Sequence, residues 1–116
     1  MENEKIETLI SADEYLYNLK NGVVRISELI QEGKEQEGIN LIPHVAEGID
    51  WITQAVELTK DVHKSEISFD SLNEFIEEIS EALENEDYIL VGDLFNYEIL
   101  PILENVHEGI KETVAN

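Results

Sequence analysis

The sequence has no cysteine, which excludes disulfides, thiolate metal ligands and a cysteine nucleophile. Basic residues are scarce: 7 lysines and arginines stand against 27 aspartates and glutamates, a formal net charge of −20 at pH 7. Such a charge repels phosphate backbones and anionic lipid. Nucleic-acid and membrane-surface roles are therefore disfavoured, and an electrostatic partner should be basic. No apolar run approaches the length of a membrane span, and the opening MENEKIETLI carries acids where a secretory leader carries bases, so a cytoplasmic location is expected. Gly48 and Gly92 stand alone, with no phosphate-cradling loop around them, and the serines stand where caps and turns place them. The acidic stretches 32–37 and 84–87 lack the alternating ligand spacing of a calcium loop.

What is present is helical periodicity in a chain of 116 residues that is 42% apolar, enough for one core and a single domain over 1–116. Ile6, Leu9 and Ile10 suit a short N-terminal arm. Ser11 with Glu14 reads as a capping box that starts a helix, Ala12 to Glu32. Leu16, Leu19, Val23, Ile26 and Ile30 form its stripe, Gly22 is its weak point and Gly33 ends it. After an acidic connection, Glu35 to Glu37, a second helix runs towards Asp61 with Ile42, Val45, Ala46, Ile49, Ile52, Thr53 and Val56 on one side. His44, Gly48, Trp51, Ala55 and Leu58 fall on its other side, with Leu41 at the edge, and Pro43 either begins or bends it. Residues 62–68 connect to a third helix capped by Ser68, Asp70 or Ser71 with Glu74, and turning Leu72, Phe75, Ile76, Ile79 and Leu83 inward. Asn85 ends that helix and caps the last one, whose first turn holds Glu86 and Asp87.

The last helix also shows two faces. Tyr88, Gly92, Phe95, Ile99, Ile102, Leu103, Val106 and Ile110 form the main one, and Leu90, Leu94, Tyr97 and Pro101 stand opposite, with a bend expected near Tyr97. Ile26, Ser27, Glu28 and Ile30 recur as Ile79, Ser80, Glu81 and Leu83. With one residue's slip, Gly38, Val45, Ile49, Ile52 and Val56 match Gly92, Ile99, Leu103, Val106 and Ile110. The expected fold is therefore all-α, an up-down-up-down four-helix bundle with a short N-terminal arm, with a duplicated helical hairpin as one account of its origin.

Few residues carry chemistry. Glu104-x-x-His107 has the spacing used in di-metal bundles but occurs once, and His44-x-x-Glu47 runs in the reverse order. On a straight helix His107 falls at the edge of its stripe, so His44, His63 and His107 all read as surface or boundary histidines, and no catalytic, cofactor or metal residue is assigned. The second faces are the remaining candidates: Leu41, Trp51, Ala55 and Leu58, and Leu90, Leu94, Tyr97 and Pro101, as a partner interface, or else as surfaces covered internally. The run 82–103, ALENEDYILVGDLFNYEILPIL, resembles a segment of small uncharacterised helical proteins of low-GC Gram-positive bacteria. In size, acidity and helical makeup the chain is similar to bacterial secretion and flagellar chaperones, whose diagnostic motifs it lacks. The expectation is a non-enzymatic protein-interaction or chaperone-like accessory factor, a homodimer with a basic protein partner. A carboxylate and histidine metal-binding bundle and a self-assembling structural protein are the alternatives.

Overall fold

The computed structural model describes residues 2–115. Leu9, Ala12, Leu16, Leu19, Val23, Ile26 and Ile30 recur at steps of three and four and are all buried, so a single helix, α1 (Glu2–Gln31), carries them without a break. Among the described residues there is no separate N-terminal arm. Residues 2–10 are the first turns of α1, and Met1, where the expected arm begins, lies outside the described residues. Ser11 is an exposed mid-helix residue instead of a cap, because Leu9 and Ala12 carry the apolar stripe past it. The other elements are α2 (Glu35–Leu58), a 3-10 turn (Lys60–Val62), α3 (Leu72–Glu84), α4 (Tyr88–Leu94), a π turn (Phe95–Ile99) and α5 (Leu100–Val114). The last three form one continuous helix, since Phe95, Ile99 and Leu100 keep right-handed helical dihedrals through both junctions.

Each hairpin turns tightly after its first helix. At the α1–α2 turn Lys34 N–H donates to Leu29 O (2.8 Å) and Gly33 N–H to Ile30 O (3.1 Å), with Gly33 at φ 81°. At the α3–α4 turn Asp87 N–H donates to Ala82 O (2.8 Å) and Glu86 N–H to Leu83 O (3.1 Å), with Glu86 at φ 57°. This is the same left-handed helix stop, made once with glycine and once without. Glu35 and Glu37 lie inside the first turn of α2, where acids meet the positive end of the helix dipole, and are not part of the connection. Pro43 sits within α2 and neither begins nor ends it. The cap of α4 is Asp87, whose Oδ1 accepts from Leu90 N–H at 3.3 Å, while Asn85 closes α3. No capping box forms at α3: Ser71 adopts φ 70° and makes no side-chain cap bond, and Ser68 Oγ accepts from Asp70 N–H (3.1 Å) instead.

The connection 59–71 crosses the end of the bundle over α5, with Lys64 N–H donating to Thr113 Oγ1 (3.2 Å) and Ser65 Oγ to Glu112 Oε2 (3.1 Å). Lys5 Nζ lies 2.7 and 2.8 Å from the Asp61 carboxylate oxygens, which ties the start of α1 to the same region and holds the Asp61 pKa below its usual value. The helices run up-down-up-down, and the bundle measures 46 × 22 × 18 Å, its long axis matching the 30 residues of α1 at about 1.5 Å each. α1 is the shared wall: α2 packs on one side of it and α4 and α5 on another, while α3 packs on α4 and the π turn. α2 and α3 hardly touch.

Candidate functional site

The gap between α2 and α3 is lined by apolar side chains. Ile42, Ala46 and Ile49 come from α2 and Ile76, Ile79, Ser80 and Leu83 from α3, with Phe95 and Ile99 of the π turn as the floor. The cavity is about 200 Å³ and partly open to solvent: Ile76 stands at its lip 40% exposed, while Ile49, Ile79, Phe95 and Ile99 are buried. In the sequence these residues read as core. The seam is partly open because α2 turns Val45 and Gly48 onto α1, leaving Ile42, Ala46 and Ile49 about 40–100° round the helix from Val45, with Ile49 buried, Ile42 half-buried and Ala46 exposed. The width of the α2 stripe, with Ile42, Ala46 and Thr53 too far round to share one partner with Val45 and Ile52, is the feature of the sequence that betrays it.

The expected interface residues divide. Trp51 (41% exposed) and Leu58 (72%) lie on the outer surface of α2, and Leu90 (40%), Tyr97 (65%) and Pro101 on the outer surface of the last helix. Ala55 and Leu94 are buried and Leu41 is half-buried against the core, so these three are covered within the domain. For Leu41 and Ala55 the reason is the small residue between them. Gly48 lets α1 come so close that a methyl at that position would collide with the Tyr15 hydroxyl and with Leu19, and α1 thereby covers the strip 41–48–55. Trp51 stays beyond it, its ring edge-on to Tyr15 with centroids 5.6 Å apart.

For Leu94 the cause is the π turn, and the same cause corrects the reading of His107. Val91, Phe95, Ile99 and Leu103 follow at steps of four, which on a straight α-helix would wind off one face. The π turn absorbs the extra residue, so the first half turns Leu94 inward and the second half turns His107 inward. His107 is 1% exposed, not a boundary residue. Its Nε2 lies 2.7 Å from Asp13 Oδ1, and since a carboxylate only accepts, Nε2 carries the proton. Nδ1 is buried without a partner. An unpaired lone pair there costs less than an unpaired charged N–H, and burial accordingly pushes the His107 pKa below its usual value against the pull of Asp13. Tyr17 packs edge-on to the imidazole at 4.6 Å, and Lys20 and Lys111 Nζ lie 5.4 and 5.2 Å from the Tyr17 ring centroid. The phenol oxygen raises the Lys111 pKa.

The other polar features also resolve into structure. His63 Nε2 donates to Thr59 Oγ1 (2.9 Å), whose own proton goes to Ala55 O (2.7 Å), and burial lowers the His63 pKa. A broader cleft of about 530 Å³ beside His63, bordered by Glu57, Lys60 and Glu66, mixes polar and apolar walls and gathers no set of groups aimed at one point. His44 and Glu104 are exposed, and among the described residues no three of His, Asp and Glu come together as metal ligands. No helix among the described residues is long and apolar enough to cross a membrane.

The molecule is thus an all-α bundle with one seam left open. The family model for a domain of unknown function, DUF8042, matches residues 7–109, and the chain belongs to that family. No curated protein and no solved structure matches it.

Proposed function

We propose that this domain is a non-enzymatic, cytoplasmic accessory factor of chaperone-like character that holds a protein partner in the α2–α3 groove. The observation that carries this reading is the groove itself: a bundle with −20 charges to distribute leaves nine residues, eight of them apolar, lining a cavity that its own helices do not close. Apolar side chains of a partner would supply the affinity there, as buried anchors do at protein interfaces.

The test is affinity capture from the native host with the wild-type chain and with Ala46→Arg and Ile76→Glu, both at exposed lip positions. A partner held by the wild type and weakened about tenfold or more by either variant is the expected result. A partner retained equally by all three removes the groove from the function. The outward residues Trp51 and Leu58 support a second contact, between two copies of the chain, which light scattering on Leu58→Glu would read as loss of a dimer.

A further inference from the structure

We infer that the occupant of the α2–α3 groove is a basic amphipathic helix of another protein, about two turns of which lie along the mouth of the groove and insert apolar side chains into it. This rests on the protein-binding reading above and adds the form and charge of the partner. The form follows from what the groove lacks. Its walls are side chains of two complete helices, so it offers no free backbone edge to pair with, and a segment buried there must satisfy its own N–H and C=O groups. Only a helix does so within one short segment.

The length follows from the walls. Ile42 to Ile49 on α2 and Ile76 to Leu83 on α3 each cover about 10 Å at about 1.5 Å per residue. That length suits side chains at i, i+3 or i+4, and i+7 on one face of an incoming helix.

The charge follows from the rims. α2 and α3 carry five acidic residues each and no lysine or arginine, and the π turn and α4 between them add Asp93 and Glu98 and no cation. One step round each helix from the lining residues, on the solvent side, stand Asp50 of α2 and Glu77 and Glu84 of α3, all exposed. The lysines and the arginine lie elsewhere, on α1, the α1–α2 turn, the 59–71 connection and α5. A groove with apolar walls and acidic rims favours an apolar stripe flanked by lysine and arginine. A second copy of this chain would bring −20 against −20 and is disfavoured at the same place.

The experiment is selection from a displayed library of randomised helical peptides against the folded chain, followed by titration of the enriched peptides. The expected peptides carry leucine, isoleucine or phenylalanine at i, i+4 and i+7 with lysine or arginine on both flanks. They should bind Ile76→Glu and Ala46→Arg about tenfold or more weakly, bind Leu58→Glu unchanged, and weaken as salt is raised. Circular dichroism of each variant separates loss of binding from loss of fold. Enriched peptides that lack basic residues, or that are not helical when bound, overturn the inference and leave a protein-binding groove in place. Shuffled peptides of the same composition that bind as well show charge attraction alone and also overturn it. Binding indifferent to both lip variants, or no enrichment at all, overturns the inference and counts against the groove reading with it. A dimer dissociated by Ala46→Arg would assign the groove to a second copy instead.

Discussion

In the first hairpin, α1 and α2 run unbroken for 30 and 24 residues and close on each other around Gly48; in the second, α3 has 13 residues and its partner changes phase at the π turn. Both hairpins use the same left-handed stop, and both bury the matched apolar ladder that suggests a duplication. The difference shows how one unit can serve two ends. The hairpin with long regular helices supplies the wall, and the one with a short helix and an irregular partner leaves that wall partly uncovered. α3 leans on α4 and the π turn and packs only loosely on α2, so the groove exists because the second hairpin is the less complete one.

The sharpest contrast lies between the second faces of the two hairpins. Trp51 is on the surface and Leu94 is inside, although each stands opposite the main stripe expected for its helix. Leu94→Asp places an unpaired carboxylate in the core and should cost roughly 3–5 kcal/mol, enough to unfold much of the population. Trp51→Asp removes an edge contact with Tyr15 at a half-exposed site and should cost about 1–2 kcal/mol and leave a cooperative transition. Urea unfolding of the two variants side by side checks this; equal losses would mean that the last helix is not rotated as described.

A smaller effect tests the irregularity directly. The turns Gly33 and Glu86 lie 53 residues apart in number, while Val45 and Ile99 lie 54 apart, so the one-residue slip between the halves falls between Glu86 and Ile99, the stretch that holds the π turn. With the slip placed at the π turn, Gly38 aligns with Val91 in place of Gly92, and all three are buried. Deleting the exposed Tyr97 would bring Val91, Phe95, Ile99, Leu103, Val106 and Ile110 to steps of four, three, four, three and four, the spacing of a regular helix. The deletion should therefore be tolerated, at a cost of about 1–2 kcal/mol, with helix content by circular dichroism unchanged. A collapse of the fold would show that the π turn is required for packing and is not an insertion the fold merely accommodates.

The same residue explains what could and could not be read in the sequence. The four-helix order, the stripe of α1, the stop at Gly33 and the continuation of the last helix through Pro101 were legible, since each rests on local periodicity or local backbone chemistry. The expected bend near Tyr97 falls where the π turn lies. Counting that helix as straight, however, averages two phases about 100° apart, and the average leaves Val91 and Leu94 outside and His107 at the edge. The groove was hidden for another reason. Periodicity shows that Ile42, Ile49, Ile76 and Ile79 are apolar and on inner faces, but not that α2 and α3 pack too loosely to close over Ile42, Ala46 and Ile76. Of the eight residues proposed for an interface, Trp51, Leu58, Leu90, Tyr97 and Pro101 lie at the surface; Leu41 and Ala55 are covered through a tertiary feature, the close helix crossing at Gly48, and Leu94 through the change of phase at the π turn.

The smallest effect separates the two turns themselves. Gly33 and Glu86 occupy the same left-handed position with the same pair of hydrogen bonds, but an L-residue with a Cβ pays about 1 kcal/mol of steric strain there that glycine does not. Glu86→Gly should therefore stabilise the chain by up to about 1 kcal/mol, and Gly33→Ala should destabilise it by a similar amount. The first substitution also removes one carboxylate from the run Glu84, Glu86 and Asp87, so part of its gain comes from relieved repulsion and shrinks at high salt. Repeating the Glu86→Gly measurement as Glu86→Gln separates the two contributions, because glutamine loses the charge and keeps the Cβ. If Glu86→Gln recovers the whole gain, the left-handed geometry costs glutamate nothing here, and the two turns are equivalent in energy as well as in shape.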